Sequence, residues 1–392
     1  MRLLALFVMA ALLQACEMDE VLPETFYSCS AEIIDSSLVH PKDSSFQALM
    51  SGIVASGLPG IQLSVRNSEN EFWNGAHGYA DLASKVEMAP CQITRVGSTV
   101  KTFTAVTILL LQEDGLLDIE EPITNYLTSD QIRDIENADK STIKQLLKHS
   151  SGIFNYIQNA QFQTASLNDL TKVWQPHELL EYARNQDSYF SPDTDVLYSN
   201  TNYILLGMII EKVAGKPFYE VFEERLFEPL GMKSTQFAAE DPVPKGIVRG
   251  YVDFYSNFNL INSTYYSGWD YYTADGGLIS NAHDLNVFLH ALFNGQVLTE
   301  VSMNKMLDWQ EPKEQETEGF KTSYGLGIFK IETEFGPAYI HSGDAIGYFA
   351  SMVHFPGQNA TITWAGNGNY GKIDRYTQSK EAMENIFLHV LE

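Results

Sequence analysis

The most informative stretch of this sequence is Val96-Gly97-Ser98-Thr99-Val100-Lys101-Thr102-Phe103. Ser98 and Lys101 lie three residues apart, and largely apolar residues follow, which predicts a helix that begins near Ser98. Positions three apart share one face of a helix, so the Lys101 amine can reach the Ser98 hydroxyl. A serine hydroxyl needs a neighbouring base to act as a nucleophile, and a lysine removed from water can lose its proton near neutral pH. We therefore predict that Ser98 is a nucleophile and that Lys101 is its base.

The Ser-x-x-Lys spacing occurs three times in the sequence, so the spacing alone is a weak signal. Ser141 and Lys144 precede a short apolar pattern, where we expect Ser141 to be a helix N-cap. Ser302 belongs to a polar, amphipathic stretch without chemically useful neighbours. Ser98 differs because it begins a largely apolar helix, whose N-terminus can also direct backbone N–H groups at a developing oxyanion.

Two further short motifs contain residue types that this chemistry needs. Tyr198-Ser199-Asn200 supplies a phenol and an amide, and the amide can brace Lys101 or the substrate. A tyrosine held near a lysine is expected to have a lowered pKa, which suits a proton relay to the leaving group. His341-Ser342-Gly343 lies at the end of a predicted strand. Each motif alone also has an ordinary structural interpretation, as a core tyrosine or as a turn.

In this order, Ser-x-x-Lys, Tyr-x-Asn and His-Ser-Gly resemble the motif set of the serine β-lactamase and penicillin-binding superfamily. Residues 146–152 (LLKHSSG), 228–232 (EPLGM) and 274–278 (ADGGL) resemble its class C-like branch, which contains DD-carboxypeptidases and related esterases. The resemblance covers residues 40–390. It implies an α+β fold (an α/β sandwich), in which an antiparallel sheet built from both termini is flanked by helices and a mostly helical region is inserted.

The resemblance also implies roles for the matching residues. Ser98 would be acylated with Lys101 as its base, Tyr198 would relay the proton, and Asn200 would position the substrate. No cofactor and no metal ion would take part. A catalytically inert relative that binds peptidoglycan peptides is the alternative from another functional class. The intact Ser98, Lys101 and Tyr198 favour an enzyme over such a binding protein.

The resemblance assigns substrate binding to His341, Ser342 and Gly343 and to the Asp344 that follows them. His341 would stand where most β-lactamases have lysine, and the backbone N–H groups of Ser98 and Asp344 would form the oxyanion hole. Members that cleave D-Ala-D-Ala often have a hydroxyl or glycine residue at the position of Asp344, near the substrate's terminal carboxylate. Two facing carboxylates repel each other. Asp344 therefore favours an ester, a lactam or an amide that carries an amine, unless its side chain caps a neighbouring turn instead.

Hydrophobic periodicity predicts where the sheet and its covering helices lie. The region from about 101 to 290 is expected to be mostly helical. The expected elements are a helix over 43–56, strands over 60–66, 71–78, 324–331, 338–341, 348–355 and 361–365, and a final helix over 373–391.

The first sixteen residues resemble an export signal. Arg2 precedes an apolar run from Leu3 to Leu13 that is too short to span a bilayer. The run ends in Leu13-Gln14-Ala15-Cys16, which resembles a lipoprotein signal with Cys16 as the lipidated residue, although Gln14 is atypical and simple secretion is the alternative. We expect a signal peptide over 1–16, a tether over 17–40 and a hydrolase domain over 41–392. Cys29 and Cys91 would then form a disulfide or remain two buried thiols.

The charge balance excludes several classes of partner. With 50 acidic and 25 basic side chains, the chain has a formal net charge of -25. Such a surface repels phosphate backbones and anionic lipid, so we predict no nucleic-acid partner and membrane contact only through the lipid anchor. Three unclustered cysteines and the absence of His-Glu-x-x-His predict no metal site. We expect a monomer that is exported to the periplasm or cell envelope.

Three activities fit the motifs: DD-carboxypeptidase, esterase or D-aminopeptidase, and β-lactamase. All three would proceed through an acyl-enzyme on Ser98 that water then hydrolyses. The motif pair resembles the pattern of carboxypeptidases and esterases more than that of the β-lactamases that confer antibiotic resistance. The pair consists of Tyr198-Ser199-Asn200 and His341-Ser342-Gly343. We therefore expect a carboxypeptidase-like or esterase-like hydrolase acting on small-molecule or peptidoglycan-peptide substrates, including D-amino-acid compounds, with a class C-type β-lactamase as the alternative.

Overall fold

The computed structural model describes residue 29 and residues 40–67, 72–266, 268, 270–315 and 318–392. The predicted signal peptide, Cys16 and all of the predicted tether except Cys29 and His40 lie outside the described residues. Among the described residues, no helix combines the length and apolarity that crossing a membrane requires.

The strands belong to one large sheet and two small ones. In chain order they are β1 (Gly60–Arg66), β2 (Phe72–Asp81), β3 (Val86–Glu87), β4 (Thr94–Arg95), β5 (Gln236–Phe237), β6 (Tyr251–Val252), β7 (Ile261–Asn262), β8 (Leu278–Ser280), β9 (Thr322–Tyr324), β10 (Phe329–Thr333), β11 (Gly336–Ala345), β12 (Tyr348–Phe355), β13 (Ala360–Gly366) and β14 (Gly368–Asn369). Within the described residues the large sheet has eight strands in the order β3-β2-β1-β13-β12-β11-β10-β9. All its pairings are antiparallel.

The helices cover both faces of this sheet. In chain order they are α1 (Asp43–Ala55), α2 (Val100–Glu113), α3 (Ile143–Leu147), α4 (Ala160–Asn168), α5 (Pro176–Leu180), α6 (Asn200–Ala214), α7 (Phe218–Phe222), α8 (Glu228–Leu230), α9 (Ala282–Phe293), α10 (Glu300–Met306), α11 (Asp374–Thr377) and α12 (Lys380–Leu391). A π-helical turn over Glu223–Phe227 joins α7 to α8.

The sheet joins the two ends of the chain. Ile61 on β1 lies opposite Gly366 on β13, and Arg66 lies opposite Thr361. β12 and β13 are buried along their whole lengths, because α1 and α12 cover one face of the sheet and α9 covers the other. A strand covered on both faces does not need alternating polar residues, which explains the nearly continuous apolar and small residues of β12.

The inserted helical region has its own apolar core around α2 and α6. Every residue of α2 from Val100 to Leu111 is buried, and the helix packs against α6, which is buried over most of its length. Burial of this much apolar surface stabilises the fold, at roughly 25 cal/mol for each Å² removed from water. The expected fold, with an antiparallel sheet from both termini, flanking helices and a helical insertion, is confirmed.

Three local expectations were wrong in detail. The strand expected over 324–331 is divided into β9 and β10, because Gly325-Leu326-Gly327 forms a turn with Gly327 at φ +67°. The helix expected over 373–391 is divided into α11 and α12, and the Ser379 side chain caps α12 by accepting the Ala382 N–H. Thr142, not Ser141, is the N-cap of α3, and the Ser141 hydroxyl donates to the Asn137 carbonyl.

Cys29 and Cys91 are joined by a disulfide. The two cysteines are 62 positions apart, and Cys91 lies three residues before β4. The bond therefore connects an early part of the chain to the segment that leads into Ser98.

Candidate active site

Strand pairing brings the segments of the site together. Ser98 lies in a 3₁₀ turn, Gly97–Thr99, that continues directly into α2. β4, which precedes this turn, pairs with β8 so that Arg95 lies opposite Ile279. The Val96 N–H also donates to the Leu278 carbonyl at 3.2 Å. The loop before β8, which contains Asp275 and Gly276, is thereby held beside Ser98.

Lys101 contacts both Ser98 and this loop. Its Nζ lies 2.9 Å from Ser98 Oγ and donates to the backbone oxygen of Asp275 at 2.5 Å. The side chain is 0 % exposed. Burial lowers the pKa of Lys101 to about 8, although the charges of Asp275 and Asp270 oppose the shift. The lowered pKa increases the share of neutral amine that can accept the Ser98 proton near neutral pH.

The hydroxyls of α2 hold the helix in this position. Thr102 Oγ1 donates to the Gly327 carbonyl at 2.7 Å, and Thr104 Oγ1 donates to the Ala274 carbonyl at 2.9 Å. Both threonines are fully buried. A buried hydroxyl left without a partner costs about 1–3 kcal/mol, so these bonds favour one placement of Lys101 over others.

Tyr198 interacts with Ser98 and lies beside Lys101. The Lys101 Nζ lies 5.0 Å from the centroid of the Tyr198 ring. Burial raises the pKa of Tyr198 well above its usual value of 10, and interaction with the Ser98 hydroxyl only partly opposes this. The lowered pKa expected from the sequence is therefore wrong in the absence of substrate. A phenol that stays protonated can still relay a proton, provided that it donates one as it accepts another.

Asn200 is held by a residue that the sequence did not single out. Its backbone N–H donates to Asn155 Oδ1 at 3.2 Å, and its side-chain amide lies 3.3 Å from the same atom. Both residues are buried. The geometry gives Asn200 no bond to Lys101, so the bracing role for Lys101 is not observed, whereas Asn200 does line the cavity beside Ser98.

Two glycines allow β11 to approach the turn that contains Ser98. A Cβ on Gly343 would lie 2.0 Å from the Val96 oxygen and 2.6 Å from the Ser98 nitrogen. A Cβ on Gly97, whose φ is +49°, would lie 2.8 Å from the Asp344 nitrogen. Neither distance leaves room for a side chain, so both positions require glycine. The backbone nitrogens of Ser98 and Asp344 therefore lie close to each other, which makes them the candidate donors of an oxyanion hole.

His341 is a neutral acceptor at the edge of the site. β10 pairs with β11 only as far as Ile340, so the edge of β11 that follows is not covered by β10. His341 Nδ1 lies 2.8 Å from the Ser342 carbonyl. A carbonyl only accepts, so Nδ1 carries the proton and Nε2 is an acceptor. Burial, together with the charge of Lys101, lowers the pKa of His341 to about 3, which keeps the imidazole neutral.

A cavity of about 510 Å³ opens beside these residues. Ser98, Tyr198, Asn200, His341 and Ser342 line it, together with an apolar wall that includes Ile157 and Phe329 and with three carboxyl groups, Asp270, Asp275 and Asp344. No Lys or Arg is found among the described residues that line it.

Burial shifts the pKa of each of these carboxyl groups. Burial and the neighbouring Asp275 raise the pKa of Asp270 to about 7, although Arg95 opposes the shift. Burial also raises the pKa of Asp275. Asp344 is open to the cavity but surrounded by protein, and this environment, with the charge of Asp374, raises its pKa to about 6.

The structure thus brings together Ser98, Lys101, Tyr198, Asn200, His341, Ser342, Gly343 and Asp344. Sequence reasoning gave no functional interpretation to Asn155, His149, Asp270 or the carbonyl of Asp275. His149 and Asp275 lie inside the LLKHSSG and ADGGL segments, and their place in segments that resemble the family was the available signal. Ser141 and Ser302, the serines of the other two Ser-x-x-Lys motifs, lie outside the cavity, and so does another Tyr-x-Asn sequence, Tyr255-Ser256-Asn257.

Comparisons with known proteins agree with this geometry. The sequence profile of the family described as Beta-lactamase matches residues 46–382. Penicillin-binding protein 4* of Bacillus subtilis is 27% identical over 341 residues, which cover 82% of this chain and 69% of that protein. Protein flp of Staphylococcus aureus is 26% identical over 240 residues, so the match spans 60% of this chain but less than half, 46%, of that protein.

A solved structure supports the same assignment. The D-amino acid amidase from Ochrobactrum anthropi SV3, complexed with L-phenylalanine amide, superposes with a TM-score of 0.78 and 26% identity, and the match covers 90% of this chain and 98% of that one. The fold, the family profile and the relatives all lead to one conclusion. The chain belongs to the Beta-lactamase family and is a serine hydrolase of the β-lactamase/transpeptidase-like superfamily.

Proposed function

We propose that this protein hydrolyses small amides or esters related to D-amino acids through an acyl-enzyme on Ser98, and that it disfavours substrates with a free carboxylate beside the scissile bond. One observation carries the proposal. The cavity that contains Ser98 is lined by three carboxyl groups and, among the described residues, by no Lys or Arg.

Acylation would use the contacts around Ser98. Neutral Lys101 would take the hydroxyl proton as Ser98 Oγ forms a bond to the substrate carbonyl carbon. The N–H groups of Ser98 and Asp344 would stabilise the oxyanion; removal of one such donor typically costs about 10²–10³-fold in rate. Tyr198 would pass a proton to the leaving amine or alcohol as the bond to it breaks.

Deacylation would use the same groups in the opposite direction. A water molecule would attack the acyl carbonyl, and the Tyr198–Lys101 pair would accept its proton. The Ser98 oxygen would regain a proton as it leaves. No cofactor is needed, because every proton in this cycle starts and ends on water, substrate, Ser98, Tyr198 or Lys101.

The charge of the cavity argues against the carboxypeptidase alternative. A peptide that ends in D-Ala-D-Ala would bring its terminal carboxylate towards Asp344, and two carboxylates repel each other more strongly in a site surrounded by protein than in water. An amide or ester without that carboxylate avoids the repulsion. The likeness to a D-amino acid amidase supports the amide class over the peptide-acid class.

Active-site labelling tests the proposal. We expect p-nitrophenyl acetate to give a burst of p-nitrophenol and an acetyl adduct on the Ser98 peptide by mass spectrometry, and we expect Ser98→Ala to abolish both. Ser141→Ala and Ser302→Ala, which alter the other Ser-x-x-Lys serines, are matched controls and should behave as wild type. D-Alanine amide should be hydrolysed faster than N-acetyl-D-Ala-D-Ala. Faster release of D-alanine from the dipeptide would overturn the proposed preference.

We also propose that the chain is exported and anchored through a lipid on Cys16, with the hydrolase domain over 41–392 acting as a monomer in the envelope. The lipoprotein-type signal motif supports this. Expression of the full chain in a bacterium should give a membrane-associated form that Cys16→Ser releases. Continued membrane association of Cys16→Ser would contradict the anchor, and a dimer in size-exclusion chromatography would contradict the monomer.

A further inference from the structure

We infer that the Asp344 carboxylate binds a positively charged group of the substrate, so that the preferred substrates carry a protonated amine close to the scissile carbonyl. The inference rests on the proposed function, because it names the substrate class of the same Ser98 site. It goes further by assigning the discrimination to one side chain.

The first argument is the distribution of charge around the cavity. Asp270, Asp275 and Asp344 line it, and Asp374 is close enough for its charge to affect Asp344. The Tyr370 ring lines the same cavity and experiences the charges of Asp344, Asp374 and Asp270 together. Asp270, Asp344 and Asp374 therefore lie near Tyr370, where a cation would meet carboxylates as well as an aromatic ring.

The charges of Arg95 and Lys101 lower the pKa of Asp270, but neither acts on the pKa of Asp344. Arg95 is 3% exposed and donates to the Tyr266 and Pro242 carbonyls and to the Tyr271 hydroxyl. Lys101 is fully buried and donates to the Asp275 carbonyl. Neither residue lines the cavity. The surface that a substrate meets is consequently acidic.

The second argument is independent of the carboxylates and concerns hydrogen-bond acceptors. His341 is 2% exposed and lines the cavity, and its Nε2 has no partner among the described residues. Because Nδ1 donates to the Ser342 carbonyl, this Nε2 is an acceptor and needs an N–H or O–H from elsewhere. A buried acceptor without a partner is uncommon in proteins and often indicates a ligand. A ligand rich in donors, as a protonated amine is, complements a cavity that offers unpaired acceptors.

The third argument is the state of Asp344 itself. Its side chain is open to the cavity, and its closest recorded partner is the Asn369 amide at 3.5 Å from Oδ1. That amide already donates to the Ala345 and Tyr348 carbonyls at 2.8 and 2.9 Å. No backbone N–H of the described residues is recorded as donating to the Asp344 carboxylate, so the alternative role as a turn cap is not observed. The carboxylate is left available for a substrate.

The position of Asp344 limits where the substrate's charge can be. The Asp344 backbone N–H is one of the two candidate oxyanion donors. The carboxylate of the same residue is therefore separated from the reacting carbonyl by little more than the length of an aspartate side chain. A cation within a few bonds of that carbonyl can reach it, on either the acyl part or the leaving group. In both locations an ammonium group would pair with the Asp344 carboxylate, and three related substrates distinguish the two locations.

The test compares amides that differ in whether they carry an ammonium group and on which side of the scissile bond it lies. N-acetyl-D-alanine propylamide is neutral, D-alanine propylamide has an ammonium on the acyl part, and N-acetyl-D-alanine 2-aminoethylamide has one on the leaving group. At pH 7, below the usual α-amine pKa of about 7.7–8.0, we expect one of the two cationic amides to exceed the neutral amide in kcat/KM by about tenfold or more in wild-type enzyme. The cationic amide that has the higher kcat/KM identifies whether the charge is bound on the acyl part or on the leaving group.

Asp344→Asn then tests the residue. The variant keeps the backbone N–H and the size of the side chain but removes the charge, so we expect the cationic-to-neutral ratio of kcat/KM to fall to about 1. Asp344→Glu should retain part of the preference. Asp139→Asn, which removes an exposed carboxylate outside the cavity, is the matched control and should keep the wild-type ratio. Circular dichroism melts check that each variant is folded.

Two outcomes would overturn the inference: equal or faster hydrolysis of the neutral amide by wild type, or an unchanged ratio in Asp344→Asn. Failure of the proposed function would look different. In that case p-nitrophenyl acetate would give no Ser98-dependent burst, and none of the three amides would be hydrolysed. Because the ratio is measured within each variant, a general loss of activity does not imitate a loss of charge discrimination.

Discussion

His149 hydrogen-bonds the backbone on both sides of Tyr198. Its carbonyl oxygen accepts the Leu197 N–H at 3.0 Å, and its Nδ1 accepts the Ser199 N–H at 3.1 Å. The imidazole also lies 4.5 Å from the Tyr198 ring, centroid to centroid. Burial lowers the pKa of His149 well below its usual value, so the ring remains neutral and Nδ1 remains an acceptor. One buried residue thus fixes the backbone that presents the proposed proton relay.

Replacement of His149 should therefore impair catalysis more than binding. His149→Phe keeps a ring against Tyr198 but leaves the Ser199 N–H without its acceptor, which costs about 1–3 kcal/mol and frees the relay to move. We expect kcat for p-nitrophenyl acetate to fall by about tenfold or more while KM changes by less than about twofold. His177→Phe, at an exposed histidine, is the matched control. A purely structural role would instead lower the melting temperature and leave the kcat of the folded enzyme unchanged.

Removal of the Lys101 amine should nearly abolish turnover. Lys101→Met fits the buried site but cannot accept the Ser98 proton, and general-base catalysis is worth about 10²–10⁴-fold. We expect a loss of kcat in that range. Lys144→Met removes the lysine of the second Ser-x-x-Lys motif, whose Nζ pairs with Glu120 at the surface, and should leave the rate within about twofold. If Lys101→Met retained more than about a tenth of wild-type kcat, the assignment of the base would be wrong.

The pH dependence of acylation should follow Lys101. The reactive form is the neutral amine, which predominates above its pKa of about 8. For a neutral ester, kcat/KM should rise about tenfold per pH unit below 8 and level off above it. His341, with a pKa of about 3, stays neutral over pH 5–9, so its titration does not add a second slope to the pH profile in this range. The charges of Asp275 and Asp270 raise the pKa of Lys101, so they move the midpoint of the pH profile to higher pH. The rate still rises with pH. A rate that falls as pH rises from 6 to 8 would contradict this; spontaneous hydrolysis is subtracted with Ser98→Ala.

The close approach of β11 to Ser98 should not tolerate a methyl group. In Gly343→Ala the new Cβ would lie 2.0 Å from the Val96 oxygen, so the turn that contains Ser98 must shift. We expect acylation to slow by about 10²-fold or more, the usual effect of a lost oxyanion donor. Gly357→Ala is the matched control, because no atom lies within 4 Å of its Cβ position. Normal burst kinetics in Gly343→Ala would show that the two backbone nitrogens are not an oxyanion hole.

Local sequence patterns predicted the elements of the fold well but not the contacts between them. β1 and β12 have the predicted bounds, since their runs of apolar residues are flanked by turn residues. The bond from Lys101 to the Asp275 carbonyl depends on the pairing of β4 with β8, two strands of two and three residues that have no periodicity to detect. The pKa of Tyr198 was predicted in the wrong direction because the depth of burial of a side chain is a property of the assembled core.

The pairing of β1 with β13 has a consequence for the order of events during biosynthesis. The Ser98 motif leaves the ribosome long before residues 360–366, which β1 must pair with to complete the centre of the sheet. Closing so long a loop delays this pairing, whereas α2 and its neighbouring helices depend on more local contacts. A nascent chain therefore carries Ser98 before β11, the strand that approaches its turn, has been made, and the centre of the sheet is completed only after residue 366 has left the ribosome.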